Sequence, residues 1–342
     1  MVKIAINGFG RIGRLVFRQA VLDFKNELDV VAINTSGSMD PQGWATLLKY
    51  DSVYRTFTRE IKVTEAQGSR EVGGLQIEGK NYPLLAEKEP LRLPWFLYKP
   101  DVVIESTGIF RQFSDAENHL KAGAGKVIIS APPKGDDIPI YLMGVNDHKY
   151  KGEKIISNGS CTTNCVAPIV KLILEKYGIE EASLTTIHAY TADQQLVDGS
   201  HKDLRRARAA AQNIIPTETG AAESVIAIFP QLKGKFAGAA IRVPVACGSY
   251  SDIIFKISQK TTIDELNQLF QEASENKMKG ILSVTTDPIV SGDVIGNSAS
   301  TIIDLNMTTV VSDNFIQVGA WYDNEYAYSR RLLEEAIYIA KK

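Results

Sequence analysis

The sequence predicts an α/β protein in two parts: a doubly wound, mainly parallel sheet, followed by an α+β region with a largely antiparallel sheet. Three observations carry that expectation. A glycine-rich turn joins an apolar strand to an amphipathic helix at the start of the chain. Short, uniformly apolar strands recur through the first 160 residues, as buried parallel strands do. After Lys176 the strand-like segments alternate apolar and polar residues, with fewer helices between them, as in a sheet with one covered face. A length of 342 residues suits two domains, and 44% hydrophobic with 23% charged residues excludes a disordered chain.

The elements follow in order. Val2-Lys3-Ile4-Ala5-Ile6 is a strand, and Asn7-Gly8-Phe9-Gly10-Arg11-Ile12-Gly13 carries the pattern G-x-G-x-x-G. A helix with Ile12, Leu15, Val16 and Ala20 on one stripe leads to a second strand, Leu28 to Ile33. Strand, glycine turn, helix and strand make the dinucleotide-binding unit of a Rossmann domain. Gly8 serves the tight turn, Gly10 the approach of backbone to pyrophosphate, and Gly13 close helix–strand packing. Arg11 and Ile12 stand with them at the helix start.

The second strand ends in Ile33-Asn34-Thr35-Ser36-Gly37, with no carboxylate before Asp40. A carboxylate there would repel a 2′-phosphate, whereas hydroxyls donate to one. The site is therefore open to NADP; Asn34 or Thr35 bonding a plain ribose would equally admit NAD. Further apolar strands are expected at Val102–Ile104, Val127–Ile129 and Tyr141-Leu142-Met143. Thr107 and Ser130 follow the first two, where strand ends line the ligand crevice. Residues 59–85 read as hairpins inserted locally, without visible chemistry.

Asn158-Gly159-Ser160-Cys161-Thr162-Thr163-Asn164-Cys165 holds two of the three cysteines and opens an apolar helix reaching about Lys176. Backbone N–H groups at a helix start lower a thiol's pKa, which suggests Cys161 as a thiolate nucleophile; a buried, inert cysteine is the alternative. Beyond it, Ser183–Ile187, Phe236–Val243, Tyr250–Ile257 and Thr309–Gly319 are β-rich, Ile263–Ala273 is a covering helix, and Arg330–Ala340 is a packed C-terminal helix. Of four histidines, His188 closes a strand-like run, where a rigid element positions a side chain for chemistry. Three cysteines with no CxxC or paired-histidine motif leave no metal set and no disulfide framework. The run His201-Lys202-Asp203-Leu204-Arg205-Arg206-Ala207-Arg208 lacks aromatic residues in a chain of net charge −2, so it reads as an interface loop near anionic ligands rather than a nucleic-acid patch. Few cysteines, no leader and no run of 18 apolar residues point to a cytoplasmic protein with no membrane span.

The combination resembles the phosphorylating glyceraldehyde-3-phosphate dehydrogenases. The matching motifs are Ile6 to Arg14, the octet Asn158 to Cys165, His188-Ala189-Tyr190-Thr191, Asp203 to Arg208, Pro216 to Ala222 and Ala320-Trp321-Tyr322-Asp323-Asn324-Glu325, in order along the whole chain. The erythrose-4-phosphate dehydrogenases keep the Cys–His pair but lack the Tyr-Thr and Thr-Gly pairs present here. The resemblance implies oxidation of D-glyceraldehyde 3-phosphate with inorganic phosphate and NAD or NADP, through a cysteine thioester, in glycolysis or gluconeogenesis. It implies Cys161 as nucleophile, His188 as general base and Asn324 against the nicotinamide carboxamide. Thr191, Asp193 and Arg242 match the C3-phosphate site; Ser160, Thr162, Thr219 and Gly220 match the inorganic-phosphate site. It further implies a Rossmann domain of residues 1–160 plus 324–342, a catalytic domain of 161–323, and a homotetramer. Thr35 stands where NAD-specific members carry Asp, and Gly199-Ser200 resembles the Ala-Ser pair of NADP-using photosynthetic members, whose serine reaches a neighbouring subunit's 2′-phosphate. Lys88 replaces an arginine near the adenine, and Glu218 stands beside the inorganic-phosphate site where a small residue is commoner.

Overall fold

The structure, a computed structural model, describes residues 1–342. It divides into two compact units, Met1–Leu142 with His148–Gly159 and Ser329–Lys342, and Met143–Asp147 with Ser160–Tyr328.

In the first unit the elements run β1 (Val2–Asn7), α1 (Arg11–Leu22), β2 (Leu28–Asn34), α2 (Pro41–Lys49), β3 (Lys62–Thr64), β4 (Gly73–Ile77), β5 (Lys80–Leu85), α3 (Trp95–Tyr98), β6 (Val102–Glu105), α4 (Phe113–Lys121), β7 (Lys126–Ile129) and β8 (Ile155–Ser157). They form one eight-stranded sheet in the order β3-β4-β5-β2-β1-β6-β7-β8. From β5 to β8 every pairing is parallel. Ile4, Ala5, Ile6, Val102, Val103 and Ile104 are fully buried, which is why these strands read as unbroken apolar runs. Chain order reverses between β1 and β6, the topological switch at which such sheets take their ligands.

Two expectations are corrected here. The 59–85 segment does form hairpins, with Glu78 and Gly79 at positive φ between β4 and β5, but it is no detached insertion: β5 pairs in parallel with β2 and extends the sheet. Tyr141-Leu142-Met143 is not a strand. Only Ile140 bridges to Ser157, and the chain then leaves, because Lys171 draws the carbonyls of Gly144 and Val145 to the second unit.

The second unit opens with α5 (Cys161–Tyr177) and continues β9 (Ile179–Ala189), β10 (Ile215–Thr217), α6 (Ala221–Ile228), β11 (Phe236–Val243), β12 (Ser249–Ile257), α7 (Ile263–Glu275), β13 (Leu282–Thr285), β14 (Thr301–Val311) and β15 (Phe315–Tyr322), before α8 (Tyr326–Ala340). Its seven strands lie in the order β10-β11-β9-β12-β15-β14-β13, antiparallel except β11 with β9 and β13 with β14. The 309–319 segment is the tip of the β14–β15 hairpin, turned at Ser312 and Asp313, both at positive φ. Along β9, Leu184, Thr186 and His188 are buried while Thr185 and Ile187 are only half-buried, the alternation of a sheet with one covered face.

The expected boundary at 323/324 also moves. Residues 324–328 group with the second unit, because Asn324 is bonded to Gly248 and Ser249 and Asp323 to Gly296. No helix is long and apolar enough to cross a membrane.

Candidate active site

The start of α5 is fixed by a reciprocal cap. The Ser160 hydroxyl accepts from Thr163 N–H at 3.0 Å, and the Thr163 hydroxyl accepts from Ser160 N–H at 3.2 Å. Cys161 is therefore the first residue of a 17-residue helix, partly buried. Its Sγ lies 3.4 Å from His188 Nε2. His188 reaches it from the helix-facing side of β9, and β11 sets Arg242 directly beside His188 in register.

The hydrogen bonds assign the imidazole's proton. Nδ1 lies 2.7 Å from the Ala189 carbonyl, which only accepts, and 3.1 Å from Arg242 Nη1, which only donates; the shorter contact places the hydrogen on Nδ1, and Nε2 turns a lone pair to the sulfur. Burial, then the adjacent Arg242 charge, pushes His188 down to about 3, so the ring is neutral at physiological pH. The thiol departs from the sequence expectation. Burial pushes Cys161 up; the Arg242 charge, Thr162 and backbone N–H groups oppose that push without overcoming it. The resting pair is S–H facing a neutral base.

A second cluster adjoins the first. Arg242 Nη1 donates to the Thr191 hydroxyl at 2.8 Å and to the Ala189 carbonyl at 3.1 Å, and the Thr191 hydroxyl donates to Asp193. Arg206 Nη1 holds Asp193 at 2.8 Å, and its Nε reaches the Thr217 hydroxyl at 2.9 Å. Asp193 is held below the usual carboxylate range: burial opposes this, and the Thr191 hydroxyl and the two guanidiniums outweigh it. Two guanidiniums thus flank one carboxylate, an arrangement suited to a phosphate dianion. Arg206 was not among the expected site residues. Its only sequence signal was the basic run, whose Arg208 turns instead to Asp198.

Other expected residues sit differently from one another. The Thr162 hydroxyl turns inward, 2.9 Å from the Tyr322 hydroxyl, which lies 2.8 Å from that of Thr186. Thr219 accepts from Ala221 N–H at 3.2 Å and Gly220 caps α6; neither bonds to Cys161 or His188. Ser200 and Glu218 are exposed. Asn324 Oδ1 accepts from Gly248 N–H at 3.1 Å and the Ser249 hydroxyl at 3.0 Å, which fixes the amide and frees its nitrogen to donate. Cys165, pushed up to about 12 by burial, and Cys247, which donates to Asp323, are inert by surroundings. No three His, Cys, Asp or Glu side chains converge as a metal site.

The first unit fits a dinucleotide. Helix α1 has no side-chain cap and no acidic residue in its first turn, a helix start of the kind that receives a pyrophosphate. A Cβ on Gly10 would meet nothing within 4 Å, whereas one on Gly13 would stand 2.0 Å from the Gly8 carbonyl oxygen and one on Gly8 2.8 Å from Thr107 N. Gly10 thus borders open space, and the other two allow close packing. Arg11 pairs with Asp51 at 2.8 Å; Ile12 and Ser130 are half-buried; Lys88 is exposed beyond β5. The hydroxyl expectation at β2 is corrected. Thr35 is buried and donates to the Leu85 carbonyl at 2.9 Å, and Asn34 is spent on Asn7 and Glu87. Ser36 and Ser38 are the exposed hydroxyls there.

Comparison with known proteins agrees with both halves of this geometry. Residues 2–113 match the NAD binding domain of glyceraldehyde 3-phosphate dehydrogenase, and residues 160–324 its C-terminal domain. The chain is 46% identical over its whole length to glyceraldehyde-3-phosphate dehydrogenase 1 of Bacillus cereus, covering 99% of that protein, and 48% identical to the Priestia megaterium enzyme, again covering 99%. It is 46% identical to the chloroplastic glyceraldehyde-3-phosphate dehydrogenase A of Chlamydomonas reinhardtii, covering 89% of it. The chain belongs to the glyceraldehyde-3-phosphate dehydrogenase family. Its activity is that of the family, and its first unit is an NAD-binding domain that serves NAD or NADP. The expected oxidoreductase and its two-sheet fold therefore stand.

Proposed function

We propose that Cys161 and His188 carry the family's phosphorylating oxidation, and that NADP serves this chain well. The observation that supports the chemistry is the 3.4 Å contact between Cys161 Sγ and the unprotonated Nε2 of His188. Nε2 takes the thiol proton as sulfur bonds to the aldehyde carbon and the carbonyl π pair moves onto oxygen. That oxyanion is met by the Cys161 backbone N–H and the imidazolium, which returns the proton to give a thiohemiacetal. His188 then removes the hydroxyl proton while the carbon's hydride departs, leaving a thioester. The bound dinucleotide supplies the hydride acceptor. Attack by inorganic phosphate breaks the C–S bond; the thiolate leaves and is reprotonated from His188.

Arg242 and Thr191, with Asp193 held by Arg206, are assigned to the substrate's C3 phosphate. The starts of α5 and α6, at Ser160, Thr162, Thr219 and Gly220, are assigned to the attacking phosphate. Asn324 is assigned to the carboxamide. NADP use is supported by the absence of a free carboxylate at the end of β2. Asp40, the first acid there, is consumed capping α2 through Gly43 N–H at 2.7 Å, while the exposed Ser36 hydroxyl remains for a 2′-phosphate. A homotetramer is supported by the uncovered face of the second sheet, where a groove of about 580 Å³ is lined by Ile187, Tyr250, Val290 and Trp321. Exposed Ser200 is assigned to a neighbouring subunit's cofactor, and the bacterial relatives support a cytoplasmic location.

The test compares kcat/KM for NAD and NADP with D-glyceraldehyde 3-phosphate and phosphate. NADP should fall within about tenfold of NAD or exceed it, a gap of at most about 1.4 kcal/mol in transition-state stabilisation. A preference for NAD beyond about a hundredfold removes the cofactor assignment. Full turnover by Cys161→Ser removes the chemistry.

A further inference from the structure

The first unit buries a carboxylate at its sheet's switch point that the chemistry above does not use. Glu105 ends β6, stands in register with Asn7 at the end of β1, and is 1% exposed. The two strands are the neighbours at which chain order reverses, so this pair lies beneath the ligand crevice.

Everything within hydrogen-bond reach of that carboxylate donates. Oε1 accepts from Thr107 N–H at 2.8 Å and from the Thr107 hydroxyl. Oε2 accepts from the Asn7 amide and from His119 Nε2 at 3.0 Å. The His119 proton is fixed from its far side: Nδ1 accepts from the Trp95 indole at 3.0 Å, and an indole only donates, so Nε2 carries the hydrogen. The Asn7 amide is fixed likewise, its Oδ1 accepting from Asn34 at 2.7 Å. A protonated acid would need an acceptor here and finds none. The group is an anion, and no arginine or lysine pairs with it. Four donors hold it rigidly without cancelling its charge, and burial leaves that charge poorly screened.

The strand order says which half of a dinucleotide would feel it. In a Rossmann sheet the ribose-binding position ends β2, so the adenosine half belongs to β1 and β2, and the nicotinamide half to β6 and its outer neighbours. An oxidised nicotinamide is a cation; a reduced one is neutral. We propose that Glu105 sets redox selectivity in cofactor binding: a fixed negative charge at the foot of the nicotinamide half favours the oxidised dinucleotide over the reduced one. This rests on the dinucleotide reading of the first unit.

Direct titration of the full chain with NAD⁺, NADH, NADP⁺ and NADPH, read by tryptophan quenching or calorimetry, tests it without turnover. In Glu105→Gln the ratio of reduced to oxidised Kd should fall by about tenfold, one pKa unit's worth of charge interaction, while Glu105→Asp should keep it within about twofold. Equal weakening of both forms would mean a purely structural role and would overturn the proposal. Should the glutamine variant not fold, the parent chain still decides. It should bind NAD⁺ at least about fivefold more tightly than benzamide adenine dinucleotide, an uncharged ring of the same shape, and equal affinity would again overturn it. If none of the four dinucleotides binds, the dinucleotide reading falls as well; if all bind with an unaltered ratio, only this inference falls.

Discussion

A thiol and an imidazole 3.4 Å apart share one proton, and their surroundings decide where it rests. Burial raises the thiol; burial and Arg242 hold His188 down to about 3. Both effects leave the proton on sulfur. Iodoacetamide labelling of Cys161 should therefore climb through the alkaline range; a plateau reaching down to pH 5 would instead indicate a resting ion pair. Arg242→Gln removes a charge that lowers both groups, so the climb should move about one unit higher in pH, and a downward move would contradict the assignment. His188→Asn should cut kcat by roughly 10²–10⁴-fold while dinucleotide binding persists, measured by steady-state kinetics beside fluorescence titration. The place of Cys161 at a helix start was legible in the sequence because turn-formers and hydroxyls marked it. His188 as its partner was not, since their 27-position separation says nothing of space; it came from the resemblance. The inward turns of the Thr35 and Thr162 hydroxyls were invisible, because rotamer direction depends on neighbours such as Leu85 and Tyr322 that only the fold supplies.

At the scale of the element, one helix start separates binding from folding. Gly10 caps α1 at φ −72°, an ordinary value for any residue, with open space where a Cβ would stand. Gly10→Ala should cost only about 0.5–1 kcal/mol in stability yet weaken dinucleotide binding by about tenfold or more, because the methyl group enters the pyrophosphate's space. Gly13→Ala should fail differently: its Cβ would collide with the Gly8 carbonyl at 2.0 Å, separating α1 from β1, and soluble yield and melting temperature should drop whether or not cofactor is added. The apolar runs that became β1, β6 and β7 were readable because strands buried on both faces need no alternation. Helices α2 and α4 were passed over. Their stripes are short, and the start of α2 depends on the Asp40 side chain meeting Gly43 N–H, a contact that is plain only once the backbone is seen.

For the molecule as a whole, two sheets of different character were predictable and the path of the chain between them was not. The return of Ser329–Lys342 to the first unit was expected, but residues 324–328 stay with the second because Asp323 serves three backbone N–H groups and the Cys247 thiol there. Such hubs also govern how stability responds to acid. Asp51 accepts from Val53 and Tyr54 N–H groups and pairs with Arg11, and these outweigh burial to hold its carboxyl below the usual range. A native pKa below the unfolded one means that the unfolded chain binds the proton more readily. The stabilisation is therefore complete above the unfolded value of about 4 and drains away as pH falls through the native one. Asp51→Asn should lower stability at pH 7, with the ion pair to Arg11 lost, and the deficit should shrink steadily below about pH 4 as the parent loses the same advantage. Urea melts of both proteins between pH 7 and pH 3 check this: parallel losses, with a constant gap down to pH 3, would mean that the Asp51 charge contributes nothing to the fold.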